Sequence, residues 1–293
     1  MNQVKFGSAH TIKKLDCLEA YLKAYLNVFK NMPWAHTIYV DAFAGTGEIP
    51  IASSYEQLPL DLDDQAFIVG SVSRALGIAE NFAEYIFIEK KRGNARALER
   101  LKMAHPDKNI LVTNTDANEG LQRLCAERDW KKCRAVVFLD PFGSQVSWST
   151  LEALAKTRAI DLWYLFPAGL SVYRQIAENG GVHYTHEASL DRLFGTSDWR
   201  QAFIGSDEAE ADLFGVANNN SVKTATPESV TKFMCKRLEI FEGGVLNEWL
   251  RLGRGDAHWY SLMFAWANPS AGAKKAGDIA RAVMRSGKSG RSK

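Results

Sequence analysis

Cysteine is scarce in this chain of 293 residues. Its four thiols, Cys17, Cys125, Cys133 and Cys235, lie far apart, form no C-x-x-C pair and have no histidine at metal-ligand spacing. That excludes a disulfide framework and a zinc module, and it points to reduced cysteines with no metal bound. No apolar run approaches the roughly 20 residues that span a bilayer, and the first residues lack a basic stretch followed by an apolar core. The expectation is a cytoplasmic protein with no membrane partner. Charge of one sign is also lacking: 36 Lys and Arg face 34 Asp and Glu, a net charge of +2. Composition therefore announces neither nucleic acid nor an acidic partner, and any electrostatic argument must be local. The phosphate-cradling pattern G-x-x-x-x-G-K-[ST] is missing, which argues against a P-loop nucleotide triphosphatase.

What is present is a hydrophobic content of 46%, enough at this length to bury a full core. From Thr11 to Asn31, Ile12, Leu15, Leu18, Tyr21, Leu22, Tyr25 and Phe29 recur at spacings of three and four, and Met32-Pro33 follows. This predicts an amphipathic helix over 11–31. Thr37 to Phe43 reads as a buried strand entering a turn at Gly45-Thr-Gly47, and residues 49–64 read as a long loop before a helix at about 65–80. Strands and helices then alternate: strands over 85–89, 110–114, 135–140 and 161–166, helices over 93–104, 117–128 and 149–156. Near-continuous apolar strands in that rhythm predict an α/β fold with a doubly wound, mostly parallel, seven-stranded Rossmann-like sheet covered on both faces. A mainly helical insertion is expected at about 168–225, then a helix from Thr226-Pro227 and an antiparallel hairpin of Val245–Leu252 with His258–Trp266. The domain reads as 1–270. The remainder, 271–293, reads as a basic tail, its last 20 residues holding seven basic side chains and one acid.

The informative feature is an ordered set of strand ends: Asp41-Ala-Phe43-Ala-Gly45-Thr-Gly47, Glu89, Asp116, and Asp140-Pro141-Phe142-Gly143. In such a sheet the carboxyl ends of adjacent strands open onto one crevice, where ligands bind. Gly45 and Gly47 let the backbone turn tightly and approach a ligand, with Asp41 placed for a cationic group. Glu89 suits a pair of ribose hydroxyls and Asp116 an adenine amino group, although Thr115-Asp116 is equally a helix N-cap. A dehydrogenase is the weaker reading, because Pro50 stands where the third glycine of G-x-G-x-x-G falls. His10 and Lys14, one helical turn apart, read as a solvent-exposed helix face or as an accessory pair near the cofactor or target.

Asp140-Pro141-Phe142-Gly143 resembles the Asp/Asn-Pro-Pro-aromatic signature of amino-methyltransferases, with the aromatic third and a glycine fourth. The resemblance implies that the Asp140 side chain and the Pro141 carbonyl bind a target amine and that Phe142 stacks a base. Taken with Tyr39-Val-Asp-Ala-Phe-Ala-Gly-Thr-Gly47, Phe138 to Gly143, Leu193-Phe-Gly195 and Trp199-Arg200, the chain resembles the three-Cys-motif partner (TcmP) family over roughly residues 10–270. That resemblance implies a methyltransferase-like fold, S-adenosylmethionine as cofactor, and a radical S-adenosylmethionine protein as partner. The expected function is methyl transfer to a nucleobase nitrogen of DNA or RNA. The alternative is a methyltransferase-fold protein that docks to the radical enzyme without methylating anything itself.

Overall fold

The computed structural model describes residues 9–50, 67–208 and 219–289. Its centre is a sheet whose strand order follows from the chain's β-α alternation. Five parallel strands form one body: β1 (His36–Asp41), β4 (Glu84–Ile88), β5 (Ile110–Thr113), β6 (Cys133–Leu139) and β7 (Ile160–Phe166). Two short antiparallel strands outside it, β2 (Glu48–Pro50) and β3 (Phe67–Val69), pair with each other. β12 (Tyr260–Trp266) runs antiparallel against β7, and the far edge is filled by β10 (Gly244–Val245) and β11 (Leu250–Leu252), both pairing β12. The order is β5-β4-β1-β6-β7-β12, then β10 and β11. This is the expected doubly wound, Rossmann-like arrangement. The count differs: the sheet has eight strands, because the predicted strand 245–252 breaks into two short segments sharing one edge.

Strand burial explains why these segments read as apolar runs. Every residue of β7 and all but the first of β1 are buried, because helices cover both faces. Alternate residues serve opposite layers. Ile38, Val40, Val137 and Leu162 belong to one core, with α4 (Ala117–Glu127), α5 (Trp148–Lys156), α6 (Tyr184–Phe194) and α8 (Pro227–Arg237). Tyr39, Val136, Phe138 and Trp163 belong to the other, packed by α1 (Ala9–Phe29), α2 (Ser71–Leu76) and α3 (Arg92–Ala104).

Two expectations are corrected. The segment read as a basic tail is largely helix: α9 (Lys274–Ser289) lies against α1 and buries Ala280 and Met284. The helix expected over 65–80 is only Ser71–Leu76, because Phe67-Ile-Val69 pairs as β3 and Gly70 and Gly77 flank the helix. The insertion is mainly helical as expected, with a π turn at Ala168–Val172, then α6 and α7 (Trp199–Phe203), and it adds a hairpin of β8 (Ile204–Glu208) and β9 (Asn219–Lys223). Those two strands are mostly polar and carry no period-two signal. Residues 51–64 of the expected loop lie outside the described residues. No helix among the described residues is long and apolar enough to cross a membrane.

Candidate active site

A cavity of about 420 Å³ opens at the carboxyl ends of the central strands, within the size range of small-molecule sites. Gly45 and Gly47 form one wall, Asp140, Pro141 and Phe142 another, and His10, Thr11 and Lys14 of α1 a third. Leu252 and Tyr260 of the C-terminal hairpin and Ser71 at the start of α2 complete the enclosure. Gly45 and Gly47 hold φ values of +60° and +86°, a region that side chains with a Cβ rarely enter. A Cβ at Gly45 would meet nothing within 4 Å, so the residue type follows from the turn and leaves open space beside it.

The strand-end carboxylates divide into those on the cavity wall and those behind it. Asp41 is fully buried and accepts hydrogen bonds from Ser71 Oγ at 2.5 Å and from the Phe43 N–H at 3.3 Å. It was expected to meet a ligand cation; the structure has it fixing the turn and the Ser71 hydroxyl. Burial pushes its carboxyl up to about 6; the nearby Asp140 charge works in the same direction, and the Ser71 and Phe43 hydrogen bonds and the Lys14 ammonium oppose it. Glu89 also stands behind the wall. Its Oε2 accepts from the Gly45 N–H at 2.9 Å and its Oε1 from the Lys91 N–H at 2.6 Å, so it sets the glycine turn. Asp116 takes its N-cap role, accepting from the Asn118 N–H at 2.9 Å, and pairs with Lys90 at 3.3 Å; it does not line the cavity. Burial raises its carboxyl, but the Asn118 and Lys90 bonds outweigh that and hold it below the usual range.

Asp140 is the carboxylate on the wall. Its Oδ2 pairs with Lys14 Nζ at 2.5 Å, the lysine side chain 9% exposed and the aspartate 30%. The exposed-helix-face reading of Lys14 is thereby overturned, because α1 crosses the sheet's upper edge and delivers the ammonium into the cavity. Lys14 Nζ also lies 5.9 Å from the centre of the Phe138 ring. His10, one turn earlier, is half-buried, with its ring edge-on to Trp259 at 5.4 Å. Burial, and then the Lys14 charge, lower its pKa, which favours a neutral imidazole. Phe142 projects outward, 84% exposed, while its N–H donates to Gln145 Oε1 at 3.1 Å. An exposed phenylalanine at a cavity mouth offers a flat apolar face to a ligand.

Sequence reasoning missed Ser71, Leu252 and Tyr260. Ser71 follows the unpatterned stretch after β2 and gave no signal. Tyr260 reaches the mouth because β12 returns antiparallel beside β7, which puts its first residue at the carboxyl end of the parallel strands. Among the described residues no group of three or more His, Cys, Asp or Glu side chains is placed to hold a metal ion.

No family profile matches the chain, and no curated protein matches it. Among solved structures it is similar to protein LPL1258 from Legionella pneumophila, with 13% identity over 67% of this chain and 78% of that one at a TM-score of 0.41. It is also similar to the N-terminal domain of EvdMO1, determined with S-adenosylhomocysteine (SAH) and D-fucose, with 12% identity over 85% and 82% of the chains and a TM-score of 0.39. A third is the plantazolicin methyltransferase BpumL in complex with SAH, with 8% identity over 88% and 85% and a TM-score of 0.31.

Proposed function

We propose that this chain is an S-adenosylmethionine-dependent methyltransferase acting on an amino nitrogen of a nucleobase in DNA or RNA. One observation carries the reading: Asp140, Pro141 and Phe142 share a single cavity with the Gly45–Gly47 turn, and Lys14 reaches the Asp140 carboxylate from another element. The residues suit the cofactor chemically. The open space at Gly45 leaves room for close backbone approach, and acidic side chains behind and beside the turn favour a sulfonium cation. Bound S-adenosylmethionine would supply an electrophilic methyl group.

The chain's own residues do the positioning. Lys14 occupies Asp140 Oδ2 and leaves Oδ1 to accept an N–H of the target amine, with the Pro141 carbonyl accepting the second. That pair of acceptors aims the nitrogen lone pair, and rate comes from orientation. Phe142 offers its exposed face for stacking of the target base, and a base in a duplex has to be flipped out to reach Asp140. His10, held neutral, adds no second cation beside Lys14.

The test is calorimetric titration of the protein with S-adenosylmethionine and SAH, repeated with Gly45→Arg, followed by transfer of labelled methyl groups to DNA and RNA pools. Saturable binding lost in Gly45→Arg, with transfer lost in Asp140→Ala at retained cofactor affinity, is the expected result. No binding by the parent protein would overturn it in favour of the radical-enzyme docking partner, a reading to which the single proline of Asp140-Pro141-Phe142 lends itself.

A further inference from the structure

The molecule has a second cavity, of about 370 Å³, that shares no lining residue with the first. It lies at the amino-terminal end of β6 and β7, enclosed by α1 and α9. Tyr25, Phe29, Trp34 and Ile279 make its walls predominantly apolar and aromatic, and Asp161 stands among them with 9% exposure. One carboxylate oxygen, Oδ2, accepts from the Tyr21 hydroxyl at 2.7 Å, but a carboxylate has about four acceptor sites. Tyr25 is 4% exposed, and its buried hydroxyl finds no hydrogen-bond partner among the described residues. An orphaned buried hydroxyl destabilises a fold unless something fills its bonding capacity. Arg134, which donates to the Cys133 carbonyl at 2.6 Å and stacks over Trp34 at 5.1 Å, lines the cavity together with Asn268, Ser270 and Lys275.

We propose that this cavity binds an uncharged, flat aromatic heterocycle carrying an amino group, which donates N–H to Asp161 and accepts the Tyr25 hydroxyl at a ring nitrogen. The charges select this chemistry. Arg134 and Lys275 set two cations on the wall against the one Asp161 carboxyl, so an ammonium ligand would add a third cation to the site, and a carboxylate ligand would face Asp161. A neutral donor-acceptor edge meets the Asp161 carboxyl and the Tyr25 hydroxyl without importing charge, and the aromatic walls bury the ring faces. Ligand pockets of this size and character combine apolar walls with a few placed polar groups.

Calorimetry and ligand-detected NMR with 2-aminobenzothiazole and with benzothiazole, the same ring lacking the amino group, test this directly. Saturable binding of the first and at least a tenfold weaker response from the second are expected. At pH 8, where the Asp161 carboxyl is ionised, Asp161→Asn removes the charge-assisted acceptor and should weaken binding about tenfold; Tyr25→Phe should weaken it several-fold, as for the loss of one hydrogen bond. Because a buried site can fail through misfolding, Ala276→Phe is a second probe: it fills the cavity from α9 and should abolish binding while the thermal transition remains cooperative. Equal binding of the two rings, no saturation at millimolar ligand, or binding that persists in both Asp161→Asn and Ala276→Phe would overturn the proposal.

Discussion

Asp161→Asn should uncouple part of the protein's stability from pH. Burial pushes the Asp161 carboxyl from 3.8 up to about 7, against the opposing hydrogen bond from Tyr21 and the Arg134 charge. A carboxyl raised in the folded state binds a proton that the unfolded chain has released, so stability falls as pH climbs from about 4 to about 7 and is level above that. Each pH unit in that window is worth about 1.4 kcal/mol for one proton. Between pH 5 and pH 8 the native carboxyl should therefore cost the folded state roughly 2–3 kcal/mol, most of it below pH 7. Asparagine keeps an acceptor for the Tyr21 hydroxyl and cannot titrate. Its amide hydrogens cost something in a buried site, but equally at every pH. Asp41, also raised, titrates in both proteins and cancels from the comparison. Urea unfolding followed by circular dichroism at pH 5 and pH 8 measures the gap between variant and parent. The gap should move in the variant's favour by roughly 2–3 kcal/mol on going to pH 8. A gap that stays constant between the two pH values would refute the buried, ionisable Asp161.

Phe142→Ala should leave the melting temperature unchanged, because the ring is exposed, while weakening the nucleic-acid substrate by about 5- to 100-fold in KM, the range for loss of one stacked base; a kinetic assay with stability as control decides it. Lys14→Met keeps the apolar stem and removes the partner of Asp140, so kcat should fall at least about tenfold while SAH affinity holds, and Lys14→Arg should recover part of it. Met284→Ala removes a side chain only 1% exposed in α9 and should cost about 2–5 kcal/mol in a denaturant melt, where a loose tail would give no change.

The sheet was legible because strands covered on both faces leave unbroken apolar runs: Ile38-Tyr-Val40 and Ala135 to Leu139 carry their identity without context. The turn at Gly45 and Gly47 was legible for a local reason as well, since positive φ constrains residue type at the position itself. α9 was hidden by its own surface. The apolar positions Ala276, Ile279, Ala280, Val283 and Met284 keep helical spacing, yet the intervening Lys, Arg, Gly and Ser residues give the composition of a solvated tail. The hairpin β8–β9 offered neither apolar alternation nor a turn dipeptide, so no local rule could find it.

The two ends of the sheet show what local patterning omits. Lys14 and Tyr25 sit on one helix at positions that any amphipathic pattern would accept, and nothing in their spacing says which strand end each will meet. That depends on the path of α1 across the sheet. The crossing carries Lys14 to Asp140 at the carboxyl ends of the strands and sets Tyr21 and Tyr25 beside Asp161 at the amino ends. A single helix thus supplies the cation of the candidate active site and the orphan hydroxyl of the second cavity. Because those groups lie more than two turns apart on a helix packed along its length, substitution at one should not alter the other. Lys14→Met should leave the heterocycle's affinity unchanged, and Tyr25→Phe should leave SAH affinity unchanged. Paired titrations of both variants with both ligands test that independence, and a loss that crosses from one cavity to the other would refute two separate sites.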